Sequence, residues 1–344
     1  MNGLALNEPG SMILVLFPWR LGGSAVQILL TATMSDLLTP TFFVILLFST
    51  IRTATPLLFA ALGGLFSERA GVINIALEGL MLAGAFTAAV VTYELQNPYI
   101  GFLCGLAAGA ALAFFYAVAV IKFEADQVVT GFAVSLLMIG LPAVISAAIY
   151  DSAGSTEQID VAYLLPPLSR TTYILRDINI ASILALALVP ISWYVLYKTP
   201  FGLRLRAAGE NPAAADAAGV NVIRLRYVAV ILSGVLAAAG GAYLSIGQSS
   251  LFTKAMTAGR GYIALAALIL AKWRPVPVLF ACLFFGFTEA VAVQLQGRKV
   301  FGDEEIPVQF IQMIPYVLTI IVLAGFIGLS RAPKALGIPY RKES

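Results

Sequence analysis

The feature that most constrains this chain is a series of apolar stretches, each about as long as a helix must be to cross a bilayer. The hydrocarbon core of a bilayer is about 30 Å thick, so a spanning helix needs about 20 mostly apolar residues. Stretches that meet this requirement are Val72–Tyr93, Tyr99–Ile121, Val128–Ile149, Ile178–Tyr197, Tyr227–Gly247, Pro275–Leu295 and Pro307–Leu329. They predict an all-α polytopic membrane protein.

Three further segments are less regular, and they leave the expected number of transmembrane helices at about eight to ten. Thr39–Phe66 is long and interrupted by polar and helix-breaking residues, and Gly261–Ala271 is short for a full span. Met12–Leu30 fits a first span, an interfacial helix or a mobile extension. We therefore divide the chain into an N-terminal extension of unassigned placement (1–38), a transmembrane domain (39–330) and a tail (331–344).

Composition agrees with a membrane domain and argues against several kinds of chemistry. Hydrophobic residues make up 60% of the chain and charged residues 11%, whereas soluble domains carry about 25% charged residues. Histidine is absent, which removes the commonest general base and metal ligand. Cys104 and Cys282 both lie in apolar stretches and provide no disulfide framework or metal spacing. We expect no metal site and no nucleic-acid partner, and a membrane-embedded enzyme fits poorly.

The basic residues of the short loops predict an orientation, because cytoplasmic loops are enriched in Lys and Arg. Five of them lie in the loop 198–226, and more follow in the 272–274 turn and the tail. Threading the spans through these loops places both segments, together with Arg69, Lys122 and the C-terminal tail, in the cytoplasm. The regions 150–177 and 296–306, which lack this basic excess, are then outside.

The loop 198–226 carries signals for two short helices. Asn211 before Pro212 is a favourable helix start, with Asn as the N-cap and Pro in the first turn. We expect a helix over Pro212–Ala218 that ends at Gly219, and a second over Leu203–Ala208 that Gly209 stops. Two such helices would form a docking surface, although an ordinary solvated loop is the alternative.

Polar residues inside the apolar stretches are candidates for a solute path, because ionisable groups at this depth usually face a protein interior or a cavity. Asn74 and Glu78 lie four residues apart, on one helix face. Thr288 and Glu289 form a second candidate pair, and Arg52 in the interrupted first segment is a third. Each has a structural alternative, such as a pairing of Glu78 with Arg69 or with a partner helix.

Small residues are dense within the spans and predict close helix packing. Because the hydrophobic effect does not drive helices together in lipid, close packing must favour their association. Gly105 and Gly109 form a GxxxG pair, and Gly240 and Gly241 are predicted to serve the same packing role in a later span. A weak internal echo relates the six residues that begin at Gly71 to the six that begin at Gly261. Because the two would run in opposite directions, the echo is consistent with an inverted repeat.

Three segments resemble the ABC-importer permeases of the simple sugar, nucleoside and branched-chain amino acid family. The loop at 202–220 reads GLRLRAAGENPAAADAAGV and is similar to the ATPase-coupling loop of those permeases. The stretches ATPLLFAALGGLFSERAGVINIALEGLMLAGAF (54–86) and GRGYIALAALILAKWRP (259–275) are similar to the nucleoside and simple-sugar branch, and to one of the two non-identical permeases of its nucleoside systems. The resemblance covers about residues 51–329 and leaves the extension 1–38 unmatched.

The resemblance implies a division of labour among several proteins in a bacterial inner membrane. This chain would form the pathway with a second, paralogous permease. A separate ATPase, with two nucleotide-binding domains in one protein, would bind ATP and Mg²⁺, and an extracytoplasmic binding protein or lipoprotein would deliver the solute. The chain itself contains no Gly-x-x-x-x-Gly-Lys-Ser/Thr loop, so it has no such device for binding ATP, and we expect no cofactor in it.

The resemblance also assigns roles to residues of the loop. Those implied to contact the ATPase are Gly202, Arg204, Arg206, Gly209, Glu210, Asn211, Pro212 and Gly219. Nucleosides are the favoured cargo, with monosaccharides or branched-chain amino acids as the alternative. An alternative of another class is a secondary transporter or channel that works without ATP.

Overall fold

The computed structural model describes residues 40–152, 154–160, 164–167, 178–296, 299–301, 304–305 and 332–341, together with the isolated residues 313, 317 and 320. The continuous described segments contain ten α-helices and one two-stranded hairpin, and the three isolated residues are also helical. The predicted segment Met12–Leu30 lies outside the described residues. So does Pro307–Leu329, except for the isolated residues 313, 317 and 320.

The helices follow the chain in the order α1 to α10. Their bounds are Pro40–Arg69 (α1), Leu77–Leu95 (α2), Pro98–Ala117 (α3), Gln127–Tyr150 (α4), Ile180–Lys198 (α5), Pro200–Glu210 (α6), Pro212–Ala217 (α7), Val222–Ala242 (α8), Arg260–Leu270 (α9) and Pro275–Leu295 (α10). Short π-helical segments, Val118–Lys122 and Tyr243–Ser249, continue α3 and α8. The antiparallel hairpin pairs β1 (Lys299–Phe301) with β2 (Glu304–Glu305).

Six of the described helices are long and apolar enough to cross a membrane. They are α1, α3 to α5, α8 and α10, with the π-helical ends of α3 and α8 included. The chain is therefore a multi-pass, all-α membrane protein, as predicted. The remaining apolar helices are α2, which has 19 residues, and α9, which has 11.

The bundle is built around α8, the most deeply buried span, which packs against α1, α2 and α3. Glycines make these contacts close. A Cβ at Gly109 would lie 2.2 Å from the Cβ of Ala238, and one at Gly105 would lie 2.9 Å from the carbonyl oxygen of Gly84. On α8, a Cβ at Gly240 would lie 2.7 Å from the Pro56 carbonyl oxygen, and one at Gly241 would lie 1.8 Å from that of Met81.

The basic loops meet at one end of the bundle, which we call the loop end because it contains residues 198–222. Arg69 donates to the Trp273 carbonyl oxygen at 2.9 and 2.6 Å, which joins the end of α1 to the α9–α10 turn. Arg226 at the start of α8 donates to the Ile338 carbonyl oxygen at 3.0 Å. The opposite end, which contains residues 150–160 and 250–254, we call the far end.

Two helix starts differ from the sequence-based prediction by five residues. The span expected from Tyr227 begins at Val222, because Asn221 caps it by accepting from the Arg224 amide at 2.9 Å. The span expected from Val72 begins as a helix only at Leu77. Residues 72–74 are outside any helix because side chains from neighbouring helices bind the Ile73 backbone: its amide donates to Gln127 Oε1 at 2.8 Å, and its carbonyl oxygen accepts from Tyr116 Oη at 2.6 Å.

Candidate functional site

The two short helices at the loop end form a compact unit, which we call the knob (Pro200–Ala217). Helix α6 buries Gly202, Leu205, Ala208 and Gly209, which recur at helical spacing and fix one face against the bundle. The opposite face is exposed, and its residues are Leu203, Arg204, Ala207 and Glu210. Leu203 is 62% exposed, so an apolar side chain stands at the tip of a surface that is otherwise charged or small.

The end of α6 corrects one prediction. Gly209 does not stop the helix, which runs from Pro200 to Glu210 and contains it. Gly209 is a packing position, because a Cβ there would lie 2.2 Å from the Arg69 carbonyl oxygen. The helix ends at Asn211, since the residue before a proline is disfavoured in the helical region.

The following helix starts and stops as expected from the sequence. Asn211 Oδ1 accepts from the Ala214 amide at 3.1 Å, and Pro212 occupies the first turn. Gly219 has a φ of +83°, the left-handed conformation typical of a helix C-cap. Three of the six residues of α7 are exposed, namely Ala213, Ala214 and Ala217, and these alanines extend the surface that α6 begins.

The remaining residues predicted for the knob are divided between packing and exposure. A Cβ at Gly202 would lie 2.2 Å from the Val195 carbonyl oxygen, so this glycine permits the tight corner between α5 and α6. The Arg206 guanidinium lies 4.8 Å from the centre of the Tyr197 ring, within the range of a cation–π contact. Arg204 is exposed.

Residues 332–341 cross the loop end as a strap, which contains a turn at 334–337 and binds three elements there. The Ala335 amide donates to the Gly209 carbonyl oxygen at 2.9 Å, and the Gly337 amide donates to that of Gly71 at 3.1 Å. Farther along, Arg341 Nε donates to Glu124 Oε1 at 2.6 Å. The strap therefore joins the knob, the α1–α2 connection and the α3–α4 connection.

The α1–α2 connection, residues 70–76, runs from the loop end into the bundle; we call it the approach segment. Its turn is made at Gly71, which has a φ of +92°, and Arg226 Nε donates to the Ala70 carbonyl oxygen at 3.2 Å. The approach segment brings Asn74 to full burial beside α8, where its Nδ2 donates to Ser233 Oγ at 2.8 Å. Asn74 Oδ1 is buried and has no hydrogen-bond partner among the described residues.

Glu78 lies in the first turn of α2, where its carboxylate caps a different helix. Oε1 accepts from Thr257 Oγ1 at 2.5 Å and from the Gly259 amide at 2.8 Å, and Oε2 accepts from the Gly261 amide at 2.7 Å. These amides belong to the first turn of α9, whose own N-cap residue provides no side-chain bond. A buried anion at two adjoining helix N-termini is favoured by the orientation of their backbone dipoles. Of the structural alternatives predicted for Glu78, the pairing with Arg69 is not formed, and the pairing with another helix is formed with α9.

The starts of α2 and α9 meet inside the bundle and run in opposite directions. A Cβ at Gly261 would lie 2.5 Å from the Glu78 amide nitrogen, so the two first turns are in direct contact. The approach segment leads from the loop end into the bundle, whereas α9 leads from the interior to the loop end, where Trp273 binds Arg69. The predicted opposite directions of the two echo segments are therefore correct. Their residue-by-residue equivalence is wrong, because Gly71 lies in a turn and Gly261 lies inside a helix.

Glu289 on α10 forms an ion pair with Arg260, the first residue of α9. The other candidates from the same regions are engaged differently. Thr288 is 1% exposed, and its hydroxyl donates to the Phe285 carbonyl oxygen of its own helix at 2.8 Å. The Arg52 carbonyl oxygen accepts from Tyr243 Oη and from Gln248 Nε2, both at 3.3 Å.

Sequence reasoning missed Arg260, Trp273 and Glu68. Trp273 Nε1 donates to the buried Glu68 Oε2 at 2.5 Å, and both Lys272 and Trp273 have a φ of +53°. This conformation is uncommon for residues other than glycine, and the bonds from α1 hold it in place. Arg260 and Trp273 lie in the segment 259–275 and Glu68 lies in the segment 54–86, both of which resemble the family, and this was the available signal; the partners of these residues are far away in sequence.

A bundle of apolar spans, with helices that begin inside it and an exposed knob at one end, is the architecture of a transport permease. The chain belongs to the family described as "Branched-chain amino acid transport system / permease component", whose model matches residues 46–323.

Named relatives place the chain among ABC transporter permeases. It is 42% identical to the guanosine ABC transporter permease protein NupQ of Bacillus subtilis, over 86% of this chain and 95% of that one. It is 39% identical to the nucleoside ABC transporter permease protein NupC of Lactococcus lactis, over 84% and 94%. A relative at 36% identity, TsgC13 of Haloferax volcanii, carries a name that refers to glucose, with 87% and 98% covered.

Proposed function

We propose that this chain is a permease subunit of an ATP-driven importer and that its cargo is nucleosides. The observation that carries the proposal is the identity of 42% and 39%, over nearly the whole of both chains, to permeases named for guanosine and for nucleosides. The polar groups inside the bundle suit such a cargo, because amide and hydroxyl groups in mostly apolar walls bind a neutral solute with several hydrogen-bonding groups.

The ATPase docks on the knob in this proposal. The exposed face of α6 and the exposed alanines of α7 form a small, partly apolar surface, which also contains Arg204. Burying Leu203 and these alanines against a cleft would favour association, because apolar area is removed from water. ATP and Mg²⁺ are bound by that partner, which we expect to carry two nucleotide-binding domains.

The loop end is cytoplasmic in this arrangement, and the far end faces the extracytoplasmic binding protein. The concentration of Lys and Arg at the loop end supports the orientation. A second, paralogous permease completes the pathway. Movement of the knob would reach the interior of the bundle by two routes: directly through α5 and α8, which flank the knob, and through the strap, which binds both Gly209 and Gly71.

Uptake of labelled solutes tests the cargo. The full transporter, with its ATPase, second permease and binding protein, is expressed in cells that lack nucleoside uptake, and accumulation of radiolabelled guanosine is measured. We expect accumulation that requires ATP hydrolysis and that unlabelled nucleosides suppress. Accumulation of glucose or leucine without guanosine would overturn the nucleoside assignment, and accumulation that persists without the ATPase would overturn the class.

The knob itself is tested by Leu203→Asp, because a charge at the tip of an apolar contact is costly to bury. We expect the variant to insert normally but to lose co-purification with the ATPase. Ala332→Asp is the matched control, since Ala332 is also exposed at the loop end but lies outside the knob. Normal ATPase binding and uptake by Leu203→Asp would remove this face of the knob from the interface.

A further inference from the structure

Arg260 and Glu289 lie at a depth where charged side chains are rare. Helix α9 has 11 residues and runs from Arg260 to the turn at the loop end, which corresponds to about 16 Å at 1.5 Å per residue. This is about half of a hydrocarbon core of about 30 Å. An ion pair near the middle of a membrane domain faces protein or water rather than lipid.

The segment that leads to Arg260 has an irregular, exposed backbone, which indicates that it contacts water. Residues 253–259 contain no helix or multi-residue strand and connect the far end to the start of α9, and the Lys254 amide donates to the Gly154 carbonyl oxygen at 2.8 Å. Lys254, Ala255 and Ala258 are exposed. Irregular backbone at membrane depth is tolerated where it is buried in protein or lines a water-filled cavity. The exposure of this segment therefore favours an aqueous recess over a protein-filled position, and we call this recess the vestibule (residues 253–260 with Glu289).

The ion pair at the bottom of the vestibule is accessible and held in place. The Arg260 side chain is 21% exposed and that of Glu289 is 27% exposed. Arg260 Nη1 donates to the Met256 carbonyl oxygen at 3.2 Å, and Nη2 donates to Glu289 Oε1. Among the described residues, Arg260 Nε and Glu289 Oε2 have no hydrogen-bond partner. A donor and an acceptor therefore lie side by side at this partly exposed ion pair.

We propose that Arg260 and Glu289 form the floor of the vestibule and bind the polar edge of the solute on its way through the membrane. Glu289 accepts from a hydroxyl or N–H group of the solute, and Arg260 donates to a carbonyl oxygen or ring nitrogen. The inference rests on the proposed function, because a nucleoside carries such donors and acceptors side by side. Glu78, which fixes the first turn of α9, is a positioning residue for Arg260.

Thiol labelling tests whether the pair faces water. Glu289→Cys is made in the full transporter with Cys104→Ala and Cys282→Ala, and a membrane-impermeant maleimide is added from the far-end side. Phe287→Cys is the matched control, because Phe287 is 45% exposed on the same helix but on another face. We expect labelling at Glu289→Cys to be about tenfold faster than at the control. Equal rates would place the pair outside any aqueous recess and overturn the proposal.

Transport kinetics test whether the pair touches the solute. Glu289→Gln is expected to raise the KM for guanosine by about tenfold or more, because a hydrogen bond to a charged group is lost. The exchanged pair, Arg260→Glu with Glu289→Arg, retains the attraction between α9 and α10 but reverses donor and acceptor, so we expect it not to restore the KM. An exchanged pair with wild-type kinetics would show a purely structural ion pair and overturn the proposal.

The two proposals fail in distinguishable ways. If the wild-type transporter accumulates no nucleoside, the proposed function is wrong, but the labelling of Glu289→Cys still reports whether the vestibule is open to water. If guanosine is transported and Glu289→Gln leaves its KM unchanged, the cargo is correct and the assignment of the pair is wrong.

Discussion

Individual charged residues in this bundle are bound mainly to backbone groups, and the consequences are largest for Glu78. Its carboxylate accepts three hydrogen bonds from Thr257 and the first turn of α9. Glu289, by contrast, is paired with another charge at a partly exposed position. We therefore expect substitution of Glu78 to lower the stability of the protein and substitution of Glu289 to impair transport.

Replacing Glu78 by Ala is expected to destabilise the protein strongly, because buried donors lose their acceptor at about 1–3 kcal/mol each. The measurement is thermal unfolding of the purified permease in detergent. Glu94→Ala is the control on the same helix, since Glu94 is exposed. Equal melting temperatures for the two variants would show that the cap contributes nothing to stability.

Glycine contacts allow a second prediction at this scale. Gly241→Ala would place a methyl group 1.8 Å from the Met81 carbonyl oxygen, and overpacking of this kind costs typically about 1–3 kcal/mol or more. Gly140→Ala meets nothing within 4 Å and is expected to leave stability unchanged or slightly raised, as helix propensity favours Ala. Similar unfolding temperatures for the two variants would contradict the close approach of α8 to α2.

The attachment of the strap depends on pH. The hydrogen bond and charge of Arg341 hold the pKa of Glu124 below its ordinary value. A lowered carboxyl pKa means that the contact stabilises the attached strap at neutral pH and loses this contribution as the pH falls below about 4. The effect is small because the pair is exposed.

Hydrogen exchange of the Ala335 and Gly337 amides, corrected for intrinsic rates, measures the attachment of the strap. We expect protection to decrease below about pH 4 in the wild type, and the decrease to be absent in Glu124→Gln, whose protection at neutral pH is already as low as that of the wild type at low pH. A wild type and variant with identical profiles would show that the Arg341–Glu124 contact does not hold the strap.

For the whole molecule, hydropathy predicts the spans well because a bilayer demands length and apolarity from each helix separately. The errors occur where neighbours decide the local structure. Val72 does not begin a helix because Tyr116 and Gln127 bind the backbone of Ile73. Gly209 resembles a helix stop in sequence, yet it packs on Arg69, and no local pattern distinguishes the two uses. Glu289 is recognisable as unusual, but Arg260 becomes its partner only through the packing of α9 on α10.

The strap also has a consequence for the order in which the protein is made. In the strap, Gly337 bonds to Gly71 and Ala335 bonds to Gly209. Most of the described chain lies between the first two residues in sequence, and a large part of it lies between the second two. Every described helix is therefore synthesised before the turn at Gly71 can receive its partner, and contacts between such distant residues form late in folding. A nascent chain can thus carry all of these helices while the loop end is still open, and the closing of that end is a step of maturation that follows their synthesis.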